Sequence, residues 1–211
     1  MDLPTAIIPA IQLTGKVEWV GLTPPLGNSA AIPRKRIDVF QGQGVQYDKH
    51  WGTRTLDVRD EVAQAFGLKK GLECFNMRQW SAVSAEEVAL IAADMGIPDI
   101  ESGDLGENLI VSGIPNFTLL PPGTLIFFKD ARKDTRTTIL CVYAENQPCY
   151  IPAQIIQAKN KGVPGLVGTF DSHARNRRGL VGWTMCSGII KPNDTVIAYV
   201  PAQRPYLAQM A

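Results

Sequence analysis

The chain has 211 residues, of which 45% are apolar and 19% are charged, and its formal net charge is +1. This length favours a single domain over residues 1–211, with room for a second small lobe, and allows a core that needs no disulfide or metal. The balanced charge excludes a general affinity for polyanions, so we expect no nucleic-acid partner, and an anion would need a local basic cluster.

Short apolar runs rich in β-branched and aromatic residues lie between frequent prolines and glycines, which is typical of many short strands. In Arg36–Phe40 polar and apolar residues alternate with a period of two, as on a half-buried strand. In chain order, the predicted strands are Gly15–Leu22, Arg36–Phe40, Leu109–Ser112, Thr124–Phe128, Thr137–Tyr143, Leu180–Thr184 and Thr195–Val200. The residues predicted to form the core are Leu109, Val111, Ile126, Phe128, Ile139, Val181 and Val196.

Three helices are predicted between the strands. Ser84 and Glu87 form a capping box that indicates a helix over residues 85–95, packed outside the strands. Further helices are expected at Asp57–Phe66 and at Ala153–Lys159. Because strands outnumber helices, the predicted class is a β-dominated mixed α/β fold.

The cysteine pattern indicates the compartment. The four cysteines form no CxxC pair, and no secretory signal opens the chain, so we expect free thiols in a reducing, cytoplasmic setting. No run of about 18 apolar residues is present, so we expect neither a membrane span nor a membrane partner.

Cys149 lies between two prolines, after the predicted strand Thr137–Tyr143. Proline stiffens the backbone, and a stiff loop after a strand is a good mount for a nucleophile or a metal ligand. The alternative is a half-buried cysteine beside a turn, because most cysteines behave as small hydrophobic residues. The same argument predicts structural roles for the other three cysteines, which are Cys74, Cys141 and Cys186.

Arg175, Arg177 and Arg178 form a basic cluster before Gly179. Guanidinium groups bind phosphate bidentately, and glycine would let the backbone approach a ligand closely. This cluster is either an anion site or a solvated loop, and the sequence leaves both open.

The chain has two histidines, His50 and His173. Either could form a thiolate–imidazole pair with Cys149, so a cysteine hydrolase is an open alternative. The sequence contains no metal-ligand spacing motif, no P-loop and no dinucleotide fingerprint.

Several ordered segments carry a family resemblance. Gly106-Glu107-Asn108-Leu109-Ile110-Val111-Ser112-Gly113 resembles the G-x-N-L-x-V-S-G segment of the molybdenum cofactor sulfurase C-terminal (MOSC) family. Residues 75–87 resemble the family's N-x-R-Q … S-x-E-E block, and residues 147–149 resemble its single-cysteine signature. The closing blocks of the family are matched at residues 178–183, 188–190 and 194–196. The resemblance is strongest over residues 70–205.

One departure concerns the last strand. The family has a glycine before the aspartate of that strand, whereas this chain has Asn193 before Asp194. Asparagine tolerates the left-handed backbone conformation, so we expect the turn to survive.

The resemblance implies a MOSC-type β-barrel with a few peripheral helices. It also implies binding of the molybdenum–pterin cofactor (molybdopterin), or sulfur handling through the signature cysteine, independently of pyridoxal phosphate. Family members such as the amidoxime-reducing component and bacterial hydroxylaminopurine reductases use that cysteine as a molybdenum ligand. Carried over, Cys149 is the catalytic residue and the metal ligand or persulfide carrier. Asn108 would hold the pterin or its phosphate, and Arg78, Gln79 and Arg178 would line the same anionic site.

Three functions stay open at this point. The first is a molybdenum-dependent oxidoreductase that acts on N-hydroxylated or similar substrates and needs a separate redox partner. The second is a sulfur carrier or sulfur transferase that receives a Cys149 persulfide from a sulfur donor. The third is a cofactor-binding domain without catalysis. If the site is real, nearby guanidinium groups are expected to make Cys149 the most reactive of the four thiols.

Overall fold

The computed structural model describes residues 7–27, 30–56, 65–130 and 133–203, with the backbone alone for residues 133–137. The helix predicted over Asp57–Phe66 therefore falls outside the described residues, apart from a helical turn at residues 65–66.

Strands dominate the described part of the chain. In chain order they are β1 (Ile11–Leu22), β2 (Ile32–Pro33), β3 (Ile37–Phe40), β4 (Gly44–Val45), β5 (Arg54–Thr55), β6 (Glu73–Cys74), β7 (Trp80–Ser84), β8 (Leu109–Ser112), β9 (Leu125–Asp130), β10 (Lys133–Glu145), β11 (Leu180–Cys186), β12 (Gly188–Ile190) and β13 (Thr195–Val200). The helices are α1 (Ala85–Asp94), α2 (Tyr150–Lys159) and α3 (Leu166–Ala174), and a short 3-10 helix covers Phe117–Leu119.

Seven of these strands close into a barrel. Their order around the barrel is β1, β8, β7, β11, β10, β9 and β13, and β13 pairs with β1 to complete the ring. Every neighbouring pair in the ring is antiparallel except β7 and β8, which are parallel. The predicted β-dominated fold with a barrel is confirmed.

The barrel interior holds the main core. Six of the seven predicted core residues are buried, and Ile139 is the exception because it is only partly buried. Its neighbours Thr138 and Leu140 face inward instead, and the pairing of β10 with β11 shifts register between Ile139 and Leu140. The prediction for Ile139 was wrong because this run is apolar on both faces and gives no alternation to read.

The three helices pack together on the outside of the barrel wall. Ile91 of α1, Ile156 of α2 and Phe170 of α3 belong to one buried cluster, which also includes Val83 of β7. The predicted helix over residues 85–95 is confirmed, and the Ser84 hydroxyl accepts a hydrogen bond from the Glu87 amide at 3.3 Å. No helix in the described ranges is both long enough and apolar enough to cross a membrane.

The turn before the last strand keeps its shape. Asn193 adopts a left-handed conformation with φ of 73°, as expected for an asparagine in place of glycine. Its amide donates to the carbonyl of Val17, which ties this turn to β1.

Candidate active site

A cavity of about 660 Å³ lies where several barrel strands begin or end. Its wall is formed by the loop over residues 49–54, the loop over residues 104–106, the segment 146–155 and the first residues of β7 and β11. This volume is typical of small-molecule and cofactor sites.

Cys149 lies on the wall of this cavity and is exposed. It is the residue that precedes α2, since the helix begins at Tyr150 and not at Ala153 as the sequence indicated. The Cys149 backbone is extended, with φ of −145° and ψ of 168°, and its thiol makes no capping hydrogen bond. The thiol therefore lies at the positive end of a ten-residue helix, beside the open cavity.

Arg178 lies on the same wall but is buried, with 3% of its surface exposed. Its Nη2 donates to the carbonyl of Leu105, whereas Nε and Nη1 have no hydrogen-bond partner among the described residues. Burial lowers the pKa of this guanidinium, while the charges of Glu107 and the Cys149 thiolate oppose that effect. An arginine stays protonated in proteins, so Arg178 is a buried cation with unsatisfied donors.

Among the charged groups that act on Arg178, the buried carboxyl of Glu107 has the largest effect. Its Oε1 accepts a hydrogen bond from the Gly103 amide at 2.5 Å, and its Oε2 has no partner within the described part of the chain. Burial raises the pKa of Glu107, and the two groups form no ion pair within 4.0 Å. Glu107 therefore acts on Arg178 without a direct ion pair, which leaves Nε and Nη1 of Arg178 without a hydrogen-bond acceptor among the described residues.

The rest of the wall is also basic. Lys49, Arg54 and Arg78 line the cavity, and Arg78 donates from Nη2 to Oδ1 of Asn146 at 3.1 Å. The wall's carboxylate, Asp104, is held by Lys159 at 2.7 Å. The apolar part of the wall includes Trp80, Leu105, Ile151, Ile155 and Val181.

The predicted arginine cluster does not act as one unit. Arg175 pairs with Asp171, and Arg177 pairs with Asp94, both on the outside of the helical layer. Of the three arginines, only Arg178 lines the cavity.

The structure places Asn108 behind the cavity wall. Its Oδ1 accepts from the Ser81 amide at 3.0 Å, and its Nδ2 donates to the Gly21 carbonyl and to Oδ2 of Asp48 at 2.8 Å. Because both amide hydrogens are used within the protein, Asn108 orients neighbouring groups.

Gln79 is also buried, away from the cavity wall. Its Nε2 donates to the Gly42 carbonyl at 2.7 Å, and its Oε1 accepts from the Thr184 amide at 3.0 Å. Both ends of the side chain are thus used to join β3–β4 and β11 to β7. The structure brings Cys149, Arg78 and Arg178 to one cavity wall, whereas Asn108 and Gln79 are buried and do not line the cavity.

His50 lines the cavity, whereas His173 does not. The Nδ1 atom of His50 lies 2.9 Å from Oδ1 of Asp48, and no hydrogen bond joins either histidine to Cys149 in the described ranges. The thiolate–imidazole pair of a cysteine hydrolase is therefore not formed. Sequence reasoning missed Asp48, because its partner Asn108 is sixty positions away and no local pattern links them.

The described residues contain no group of three or more His, Cys, Asp or Glu side chains that could hold a metal ion. A metal in this cavity would thus have Cys149 as its ligand from the protein and would need its other ligands from an organic cofactor.

A family model matches most of the chain. The model of the MOSC domain matches residues 56–197. The chain belongs to the MOSC domain family. The match includes Cys149 and Arg178, while β1, Asp48 and His50 precede it, so the first strand of the MOSC barrel and part of the cavity wall come from outside the matched segment.

Two known proteins are similar to this chain over most of its length. YuaD of Bacillus subtilis (strain 168), described as one of the metal-sulfur cluster biosynthesis proteins, is 35% identical over 188 residues, which cover 88% of this chain and 90% of YuaD. The crystal structure of Bacillus subtilis YuaD superposes with a TM-score of 0.79 at 30% identity and covers 90% of this chain and 98% of that one. The crystal structure of YiiM from Geobacillus stearothermophilus has the same fold, with a TM-score of 0.51, 14% identity, and coverage of 90% of this chain and 75% of YiiM.

Proposed function

We propose that this protein binds a molybdenum–pterin cofactor in the cavity and acts as an oxidoreductase on N-hydroxylated or similar substrates. The observation that supports this best is Arg178, a buried cation with two unsatisfied donors on the wall of an open cavity. Leaving buried donors unpaired is costly, so a site built this way favours an anionic ligand such as a phosphate group.

The residues present fit such a cofactor. The cavity of about 660 Å³ lies within the range of cofactor sites, and the partly exposed Ile151 and Ile155 provide an apolar surface for a planar ring. Arg178 and Arg78 would bind the phosphate, and Cys149 would ligate the metal, since thiolates are soft ligands that suit such metals. Asn108 would act indirectly, by holding Asp48 and the strand β7 in place.

When bound, the cofactor supplies the redox chemistry, and electrons would come from a separate redox partner. The chain's own residues would bind the anionic end of the cofactor through Arg178 and Arg78 and ligate the metal through Cys149, and substrate would enter through the open side of the cavity. A reducing cytoplasm suits this role, because the Cys149 thiol must stay free.

Metal and pterin content test the proposal. Protein from a molybdenum-replete host should contain molybdenum and fluorescent pterin, and Cys149→Ser should lose the metal at least about tenfold, since the protein ligand is removed. Cys186→Ser, which changes a partly buried cysteine off the cavity wall, is the matched control and should keep both. Wild-type protein that contains neither metal nor pterin would contradict the proposal.

A second candidate function is supported by the exposure of Cys149 and by the description of YuaD. In this case Cys149 carries sulfur. Its thiolate attacks the outer sulfur of a donor persulfide, a new sulfur–sulfur bond forms on Cys149, and the donor cysteine leaves as a thiolate.

Intact mass spectrometry separates the two functions. After incubation with a cysteine desulfurase and cysteine, a carrier should gain one reducible sulfur atom, and Cys149→Ser should gain none. An unchanged wild-type mass would rule out the carrier. If Cys149→Ser changes neither metal content nor sulfur uptake, the chain is a binding domain without chemistry at this thiol.

A further inference from the structure

The imidazole of His50 lines the cavity and pairs with the buried carboxylate of Asp48, and neither function above uses this pair. We propose that His50 is an acid–base catalytic residue of this cavity, which exchanges a proton with the bound ligand through Nε2, and that Asp48 is its positioning residue. The identity of the ligand rests on the proposed function, whereas the geometry of the pair does not.

Asp48 is rigidly held. It is 3% exposed, and its Oδ2 accepts hydrogen bonds from the Thr23 amide at 2.7 Å and from Nδ2 of Asn108 at 2.8 Å. Its Oδ1 accepts from the amide of His50 and from the ring of His50, both at 2.9 Å. Four donors from three separate segments leave this carboxylate a single orientation.

The same contacts determine the tautomer of His50. Burial raises the pKa of Asp48, but the hydrogen bonds from His50 and Thr23 outweigh burial and hold that pKa below the ordinary value of 3.8. An ionised carboxylate can only accept hydrogen bonds, so Nδ1 of His50 must carry a proton. In the neutral ring Nε2 is then the basic atom, and in the charged ring Nε2 becomes a donor.

His50 lines the cavity with a partly exposed side chain. Its side chain is 42% exposed, and Nε2 makes no hydrogen bond to any described residue. Its backbone is also fixed, because Nδ2 of Asn76 donates to the His50 carbonyl at 2.7 Å and Oδ1 of Asn76 accepts from the Arg78 amide at 2.9 Å. The imidazole and the Arg78 segment are thus held in one arrangement on the wall.

Proton exchange at His50 depends on the charged groups that surround it on the cavity wall. The carboxylate beside the ring is the buried Asp48, and the acid that lines the wall, Asp104, is paired with Lys159. The other titratable or charged groups on the wall are Lys49, Arg54, Arg78, Cys149 and Arg178. A ligand held by these cations would lie against an imidazole whose tautomer is already set, which is the arrangement that acid–base catalysis requires.

The proposed step moves one proton. The neutral ring takes up a proton on Nε2 from an O–H group of the ligand or of a water molecule beside it, the electron pair of the broken O–H bond stays on that oxygen, and the charged ring later releases the proton to water. The proton on Nδ1 stays there throughout, hydrogen-bonded to Asp48, so Asp48 stays ionised and nothing is oxidised or reduced in this step.

Two measurements on cofactor-free protein test the inference. In the first, NMR of protein labelled with ¹⁵N-histidine should show Nδ1 protonated and Nε2 unprotonated in the neutral form of His50. Since the chain has two histidines, His173→Asn assigns the signals. A neutral His50 that is protonated on Nε2 would overturn the inference.

The second measurement uses hydrolysis of p-nitrophenyl acetate in a Cys149→Ser background, so that no thiol contributes. Adding His50→Gln should slow release of p-nitrophenolate about tenfold or more, because the positioned base is lost. Adding His173→Asn instead should leave the rate unchanged. Equal rates with and without His50 would overturn the inference.

These outcomes are distinct from failure of the proposed function, which is read from metal and pterin content in protein with Cys149 intact. Where the loaded protein is active, His50→Gln should lower kcat and leave cofactor content and KM close to those of His173→Asn. A variant that lost cofactor but kept kcat per bound metal would show His50 to be a binding residue, which contradicts the acid–base role.

Discussion

Cys149 differs from the other three cysteines in exposure, and its reactivity should differ accordingly. Cys149 is exposed, Cys74 and Cys186 are partly buried, and Cys141 is buried. Burial also raises the pKa of the Cys141 thiol, which lowers the fraction present as the reactive thiolate. Timed alkylation with peptide mapping of cofactor-free protein should therefore label Cys149 first and Cys141 last. If Cys74 or Cys186 is labelled well before Cys149, the cavity does not activate its thiol.

Because of Asp48, we expect the free energy of unfolding to change with pH in the acid range. The pKa of Asp48 is depressed in the folded protein, so its stabilising contribution is present above the unfolded value and is lost as the pH falls through the folded value. Asp48→Asn should lower the free energy of unfolding by about 2 kcal/mol at neutral pH, and the difference from wild type should shrink below about pH 4. Urea unfolding of both proteins at neutral pH and below about pH 4 measures this difference in the free energy of unfolding. A difference that stays constant on acidification would contradict the ionised, hydrogen-bonded carboxylate.

At the scale of single residues, the resemblance pointed to three residues that line the cavity, which are Cys149, Arg78 and Arg178. Asn108 lies in the G-x-N-L-x-V-S-G motif but is a buried orienting residue, and its partner Asp48 was not predicted. A family motif marks a residue that the fold needs at that position, and the contacts show whether it touches a ligand or supports a residue that does.

The helix α1 shows how a local signal fixes an element. Ser84 accepts from the Glu87 amide at 3.3 Å and donates to Glu86 at 2.6 Å, so the first turn is closed by its own cap. Ser84→Ala should lower the free energy of unfolding by about 1 kcal/mol. Ser172→Ala, in the exposed part of α3, is the matched control and should change stability by less than about 0.5 kcal/mol. Equal effects in urea unfolding would mean that the cap does not stabilise the fold.

Elements with strong local signals were predicted, and those set by tertiary contacts were not. Leu109–Ser112 and Thr195–Val200 were predicted with the bounds that the structure shows. The helix Leu166–Ala174 was missed, because it begins after Gly165 and contains Gly168, both of which argue against a helix. It forms because Leu166, Phe170 and Ala174 bury one face against α1 and α2.

The strand β7 was also missed, although it lies in the barrel between β8 and β11. Its residues Trp80–Ser84 are buried throughout, since one side faces the barrel core and the other is covered by the helices. A strand buried on both faces does not alternate, so its pattern cannot be distinguished from the start of the helix that follows it.

At the scale of the whole molecule, the closed barrel prevents a strand from shifting to relieve a close contact with its neighbour. Each of the seven strands has two neighbours, so a strand cannot move outward without breaking a second row of hydrogen bonds. The cavity lies at the strand ends of this ring, and its wall joins the first fifty residues to segments beyond residue 140. The positions of Cys149, Arg178 and His50 relative to one another therefore depend on the closed ring as a whole.

Gly182 tests this dependence. A Cβ atom on Gly182 would lie 1.9 Å from the carbonyl oxygen of Cys141 and 2.4 Å from the ring of Trp80, on two different neighbouring strands. Because neither strand can shift alone, Gly182→Ala should lower the free energy of unfolding by about 3 kcal/mol and disturb the cavity wall at Trp80. Gly168→Ala is the control, since a Cβ there meets open space inside a helix and should raise stability by up to about 1 kcal/mol. Urea unfolding with tryptophan fluorescence measures both effects, and equal stability of the two variants would show that the barrel relaxes locally.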